Sequence, residues 1–265
     1  HRDGSPGGSE AIGGVQKWRV KTNWKIVAEN FIGDMYHDIS HRSVDTVGIG
    51  PGGKGRRDAQ RPRLAIGFSE LGHGVLGELP YTAEPDYAPT FASHPDVEAY
   101  YRKVYDDRVR NLGDRPRVTN SVGTIFPNMS FHSKQPRTIL ITHPISPTEV
   151  ELWRLYLVDA DAPQAVKDAA RHYYLRYSGP GDMENWTYAI GSSQGAIARR
   201  QDFNYQLALG KAEPVPGLQG AVQSGSYSEE NQRIFYRRWA QFMSGAEWDS
   251  LMPQATPAKA RNHGD

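Results

Sequence analysis

The sequence predicts an α+β protein in which helices pack on an antiparallel sheet. Three observations predict it. Short runs rich in Val, Ile, Thr and Phe fill the middle of the chain, at 119–130, 137–143 and 149–158. Segments with helical spacing of apolar residues flank that block, at 23–40 and 228–243. Stretches bearing Gly and Pro punctuate the chain between the two patterns.

In order along the chain, residues 1–14 are rich in Gly and Ser, carry a Pro, and have no apolar period, so they read as a linker. Trp24, Val27, Phe31 and Met35 then keep helical spacing across 23–40. A second loose stretch, GIGPGGKGRRDAQRPR at 48–63, is long for a loop inside a compact domain and reads as a functional edge. The strand runs at 119–130 and 137–143 end in turns that contain Pro. EVELWRLYLV at 149–158 alternates, with Val150, Leu152, Arg154 and Tyr156 on one face. A helix with Pro at its start follows at 163–177, and another at 182–189. The helix at 228–243 opens with Ser228 and Asn231 bracketing two glutamates, a cap with an acidic first turn. Residues 253–265 read as a polar tail.

Composition narrows the chemistry. The 265 residues hold 31 Lys and Arg against 30 Asp and Glu, and no Cys. Without Cys the chain itself offers no disulfide, thiolate zinc site, cysteine nucleophile or cysteine-held iron–sulfur cluster. Balanced charge argues against nucleic acid as a partner. No apolar run approaches the roughly 20 residues of a membrane span, and no signal peptide is evident, so the expected location is the cytoplasm. Gly48, Gly50 and Gly53 satisfy GxGxxG, but no helical pattern follows to present amides to a phosphate. Lys54, Arg56, Arg57, Arg61 and Arg63 form a solvated basic loop. His73, His132, His143 and His172 lack ligand partners at helical spacing and are expected in structural roles.

The sharpest feature is ENFIGDMYHDISH at 29–41. At about 100° per residue, with Asn30 at zero, Asp34 falls near 40°, His37 near 340° and His41 near 20°. On a continuous helix these four share one narrow stripe beside apolar Val27, Phe31 and Met35. Histidines at i and i+4 can chelate one metal ion. With nine histidines in the chain such a pair also arises by chance in about one chain in four, so spacing alone decides little. The aligned Asp and Asn add weight, because polar groups beside a buried stripe need partners. A third ligand could come from Asp34 or from Asp182, which follows a Gly–Pro–Gly turn in SGPGDMENW and could equally serve as a helix cap. Two imidazoles and a carboxylate suit iron(II) oxygen chemistry and also zinc hydrolysis.

NWKIVAENFIGDMYH at 23–37 resembles the start of the catalytic domain in the large (alpha) subunit of Rieske-type aromatic ring-hydroxylating dioxygenases. The resemblance continues through Gly72–His73–Gly74, TIFPNMS, HPISPTEVELW, VDADAP, GDMENW and SYSEENQRIFYRRW, in order and across nearly the whole chain. It implies a helix-grip (Bet v1-like) fold, an antiparallel sheet on a long C-terminal helix. It implies a mononuclear iron(II) held by His37, His41 and Asp182, and an aspartate, Asp34, that passes electrons from a cluster on a neighbouring subunit. Asn30 would line the iron cavity, with Phe31, Met35, Phe131 and Tyr177 as pocket walls. The implied reaction adds both atoms of O2 to an aromatic ring, giving a cis-dihydrodiol. Where many members place four or five residues between the two histidines, three intervene here, which leaves the subfamily open.

The resemblance also implies partners and a division of the chain. Residues 1–16 would link to an N-terminal domain carrying a Rieske 2Fe–2S cluster, which needs two Cys and two His and so lies outside these residues. Residues 17–252 would form the iron domain. Electrons would come from NADH through a reductase and a ferredoxin, in a homotrimer or an assembly of three alpha with three small beta subunits. Without the cluster, these residues are not expected to sustain turnover. The expected substrate is a mono- or polycyclic apolar aromatic, because no basic residue is obviously placed for a carboxylate. A related monooxygenase or demethylase with the same triad, and a metal-free helix-grip module that binds an apolar ligand, are the alternatives.

Overall fold

The computed structural model describes residues 7–34, 46, 63–78, 91, 93–112, 120–133, 137–179, 204–225, 227–247 and 250. Among the described residues, nine strands form one antiparallel sheet in the order β1-β7-β6-β5-β4-β3-β2-β9-β8. They are β1 (Ser9–Val20), β2 (Arg63–Phe68), β3 (His73–Glu78), β4 (Asn120–Ile125), β5 (Met129–His132), β6 (Thr138–Ser146), β7 (Glu149–Asp159), β8 (Glu213–Pro214) and β9 (Ala221–Ser224). The helices are α1 (Trp24–Gly33), α2 (Pro95–Leu112), α3 (Gln164–Tyr177) and α4 (Glu230–Met243). The expected α+β class holds, with the C-terminal helix laid on the sheet.

The alternation expected on β7 is present. Val150, Leu152, Arg154 and Tyr156 are all buried, and Glu151, Trp153 and Leu155 face the other way, half-buried. Leu140, Val150 and Leu152 pack with Val27 and Phe31 of α1. Full burial of such side chains contributes about 1.5–3 kcal/mol each. Further along the same face, Tyr156 and Val158 pack under Tyr101 of α2 and Val166, Ala170 and Tyr174 of α3. The sequence pattern leaves 95–112 unassigned. The charges of α2 mask its buried stripe Val97, Tyr101 and Val104, at i, i+4 and i+7.

Three further differences have local causes. The run at 119–130 is two strands, because a turn through the cis Phe126–Pro127 peptide folds β5 back on β4. β1 begins at Ser9, inside the stretch that reads as linker, and pairs with β7 from Ser9↔Asp159 onward. Its register shifts between Ala11 and Val15, where Gly13 and Gly14 take φ of 70° and 77°. That bulge breaks the period that would have revealed a strand. Lastly, α1 ends at Gly33 rather than continuing to about residue 40. Asp34 is its C-cap, with ψ of 92°.

Candidate functional site

α1 starts where its sequence says it should. Asn23 is extended, and its Oδ1 accepts from the Lys25 N–H at 3.0 Å. Its central turn is fixed to the sheet. Thr124 Oγ1 donates to Ala28 O at 2.8 Å and lies 3.0 Å from Ser130 Oγ. Ser130 therefore points at α1, and alternation along β5 sends His132 to that same face and Phe131 to the opposite one.

This settles where the expected wall residues stand. Phe31 is buried, and its ring centroid lies 5.0 Å from that of His132. Phe131 lies on the far face, with its ring over Gly123. Phe31 and Phe131, both expected as pocket walls, thus stand on opposite faces of the sheet, and His132 is the residue beside Phe31. Asn30 is half-buried on α1, and its carbonyl accepts from the Asp34 N–H at 3.3 Å. His37, His41, Met35 and Asp182 lie outside the described residues, as does the side chain of Tyr177 at the end of α3. Among the described residues, no group of three or more His, Asp or Glu could hold a metal ion. Because α1 ends at Gly33, the stripe through Asn30, Asp34, His37 and His41 is not one continuous helical face from this helix.

The structure does place the two chain ends that lead to those candidates. Asp34 leaves α1 three residues before His37. Ser178 caps α3 four residues before Asp182, with its N–H on Tyr174 O at 3.0 Å. The Ser178 carbonyl accepts from Arg154 Nη1 at 2.8 Å and from the Tyr156 hydroxyl at 2.5 Å. Arg154 is only 2% exposed and pairs across the sheet with Leu140, which packs against Phe31. Both exits thus lie over one face of the sheet. A buried guanidinium is costly to dehydrate, and here it is committed to a main-chain carbonyl.

Sequence reasoning passed over two groups near α1. Glu29 accepts from the hydroxyls of Tyr236 and Tyr205 at 2.6 and 2.8 Å. Burial raises its carboxyl above the ordinary value, and the charges of Asp34 and Glu229 push the same way against the two hydrogen bonds. The signal was present but faint, a charged residue between the buried Ala28 and Ile32 flanks. The second group is Asn231 with Gln232 on α4. Of the pair expected to bracket the start of α4, Ser228 Oγ accepts from the Glu230 N–H at 3.1 Å, while the structure buries Asn231 completely. His73 is structural as expected, its Nδ1 accepting from the Phe126 N–H at 3.0 Å. Burial, then the nearby Arg238 charge, holds its pKa down. His143 likewise packs its ring 4.3 Å from that of Trp153.

The chain belongs to the family of ring hydroxylating alpha subunits (catalytic domain), whose model matches residues 9–245. It is 34% identical over 268 residues to the biphenyl dioxygenase subunit alpha of Metapseudomonas furukawaii, covering 95% of this chain and 57% of that protein. It is 32% identical to a benzene 1,2-dioxygenase subunit alpha of Pseudomonas putida, covering 94% of this chain and 58% of the relative. Among solved structures, a naphthalene 1,2-dioxygenase variant bound to phenanthrene superposes with a TM-score of 0.75 at 25% identity, covering 92% of this chain and 57% of that one. Naphthalene 1,2-dioxygenase from Rhodococcus sp., bound to indole, gives 0.65 at 27% identity, covering 91% and 58%. The chain therefore spans less than three-fifths of the length of these relatives. Among the described residues, no helix is long and apolar enough to cross a membrane.

Proposed function

We propose that this chain is the catalytic part of a cytoplasmic, NADH-fed oxygenase that cis-dihydroxylates an apolar aromatic ring with O2 at a mononuclear non-haem iron(II). The observation that carries the reading is that the two chain exits lie over one face of the sheet. Asp34, leading to His37 and His41, and Ser178, leading to Asp182, leave α1 and α3 over the same face of the sheet. The donor chemistry fits the ion: two neutral imidazoles and one carboxylate suit iron(II) and leave coordination positions open. When bound, the iron supplies O2 activation next to the substrate.

The chain's own residues would supply shape and placement. Phe31 is buried beside His132, and these two rings would form the apolar side of a site that selects a flat ring by fit. Asn30 would face the reacting end of that cavity. Arg154 does not argue for a carboxylate-bearing substrate, because its guanidinium is engaged by the Ser178 carbonyl. Asp34 would carry electrons from the Rieske cluster of a neighbouring subunit, which implies a trimer of large subunits, with or without beta subunits. Ferredoxin and reductase would deliver those electrons.

Metal analysis of anaerobically purified protein tests the reading. Iron near one per chain, lost in His37→Ala, His41→Ala and Asp182→Ala, is the expected result. Incorporation of both atoms of labelled O2 into the product then distinguishes dihydroxylation from one-atom insertion. Ligand binding without iron, unchanged in these variants, would refute it.

A further inference from the structure

We propose that Asn231 and Gln232, in the first turn of α4, are positioning residues: they end α1 at Gly33 and so set the course on which the chain leaves toward His37 and His41. The proposal rests on the reading of those two histidines as metal ligands.

An α-helix leaves its last carbonyls without intrahelical partners, and its end must be made by something. The commonest device, a glycine in the left-handed region just past the helix, is not used here, because Asp34 and Met35 follow Gly33 and Asp34 has φ of −70°. The periodicity of 23–40 would let the helix run on. Instead, two amides from α4 meet the end of α1. Asn231 Nδ2 donates to Ile32 O at 2.8 Å, and Gln232 Nε2 donates to Gly33 O at 2.8 Å. Asn231 Nδ2 also lies 3.2 Å from Val75 O, which ties the same junction to β3. The next residue, Asp34, has already left helical geometry.

Three glycines on three elements open the space these amides occupy. A Cβ on Gly33 would lie 2.9 Å from Gln232 Oε1 and 3.0 Å from Asn231 Cβ. A Cβ on Gly67 would lie 2.8 Å from Asn231 Oδ1, and one on Gly74 would lie 3.0 Å from Asn231 Cγ. Both amide oxygens are buried without a hydrogen-bond partner among the described residues. Packing alone would favour apolar side chains at such a site, since an unpaired buried carbonyl is penalised. What the amides provide is their N–H groups, delivered to the two carbonyls at which α1 stops.

The consequence reaches the candidate site through a short tether. His37 is three residues past Asp34, so its Cα lies at most about 11 Å from that of Asp34, and the direction in which the chain leaves α1 bounds where that histidine can stand. A metal site tolerates only small errors in ligand position.

The test uses the apo chain and cobalt(II) as a visible probe of the site. Gln232→Met keeps the shape and removes the donor; Asn231→Leu does the same at the neighbouring position. Gly33→Ala is an independent probe that pushes the Gln232 amide away, and it decides if either of the others fails to fold. Val166→Ala, in the α3 core, is the control for general destabilisation. Cobalt affinity is expected to fall about tenfold or more in the α4 variants, with altered visible bands and faster amide exchange at Asp34. Val166→Ala, compared at similar loss of Tm, is expected to bind as the unaltered chain does. If Gln232→Met and Gly33→Ala bind cobalt like the unaltered chain, the positioning role is overturned and the iron reading survives. If the unaltered chain takes up no cobalt, the iron reading fails and this role fails with it.

Discussion

Glu29 on α1 accepts a hydrogen bond from the Tyr236 hydroxyl on α4 at 2.6 Å. Tyr205 closes on the same carboxyl from the 204–210 turn, its ring stacked 5.4 Å from that of Tyr236. Burial, and then the Glu29 charge, raises both phenols above their ordinary range, so they remain donors. One acid thus joins three separate pieces of chain just before α1 gives way to Asp34.

That acid makes stability depend on pH. Its folded pKa lies above the ordinary 4.5, so the folded chain keeps a proton that the unfolded chain releases. Below pH 4.5 both states are protonated and the effect vanishes. As pH rises from there through the raised folded value, stability falls, then levels off. In Glu29→Gln this slope is expected to disappear, so the variant gains on the unaltered protein as pH rises above 4.5 in urea titrations. A constant difference across that range would contradict the assignment. Glu29→Ala, which strips two half-buried tyrosine hydroxyls of their acceptor, is expected to lose about 1–3 kcal/mol.

Gly74 meets Ile32 of α1 and Asn231 of α4 at once. A Cβ there would lie 2.7 Å from Ile32 Cγ1 and 3.0 Å from Asn231 Nδ2. Gly74→Ala is expected to destabilise by about 1–3 kcal/mol through overpacking, read as a lower urea midpoint at unchanged m. An unchanged midpoint would mean that the α1–α4–β3 junction is looser than described.

The Ser178 carbonyl has two donors, Arg154 and Tyr156. Tyr156→Phe leaves one of them in place and is expected to cost about 1 kcal/mol. Combined with Arg154→Met, it leaves a buried carbonyl without either donor, so the double variant should lose more than the sum of the singles. A double-mutant cycle measured by denaturation checks this; strict additivity would show that the two side chains do not act on one acceptor.

On the function proposed above, Asp34→Asn would separate electron delivery from metal binding. In the oxygenase assembled with its Rieske domain, iron content is expected to stay near that of the unaltered protein while product formation from NADH is lost. The same change removes a charge that helps raise Glu29, so the Glu29 pKa should move down toward 4.5. Loss of iron in Asp34→Asn would instead make Asp34 a ligand.

What the sequence determined by itself lies where short-range order is strong. The period-two run of β7 revealed its buried face from Val150 to Tyr156, and the apolar spacing at 228–243 revealed α4, because each pattern is complete within a few residues. The ordered motifs revealed the family. Only the tertiary structure decided that α1 stops at Gly33, because the amides that end it stand 199 residues away. It decided that His132 rather than Phe131 faces α1, because alternation fixes only that neighbours diverge, and the Thr124–Ser130 contact under Ala28 fixes which of them goes inward. It decided that the Glu29 carboxyl is raised above its ordinary pKa, because the groups that bury it lie 176 and 207 residues on. Periodicity and propensity act between near neighbours, whereas helix ends, inward faces and ionisation are set by whatever the folded chain brings alongside.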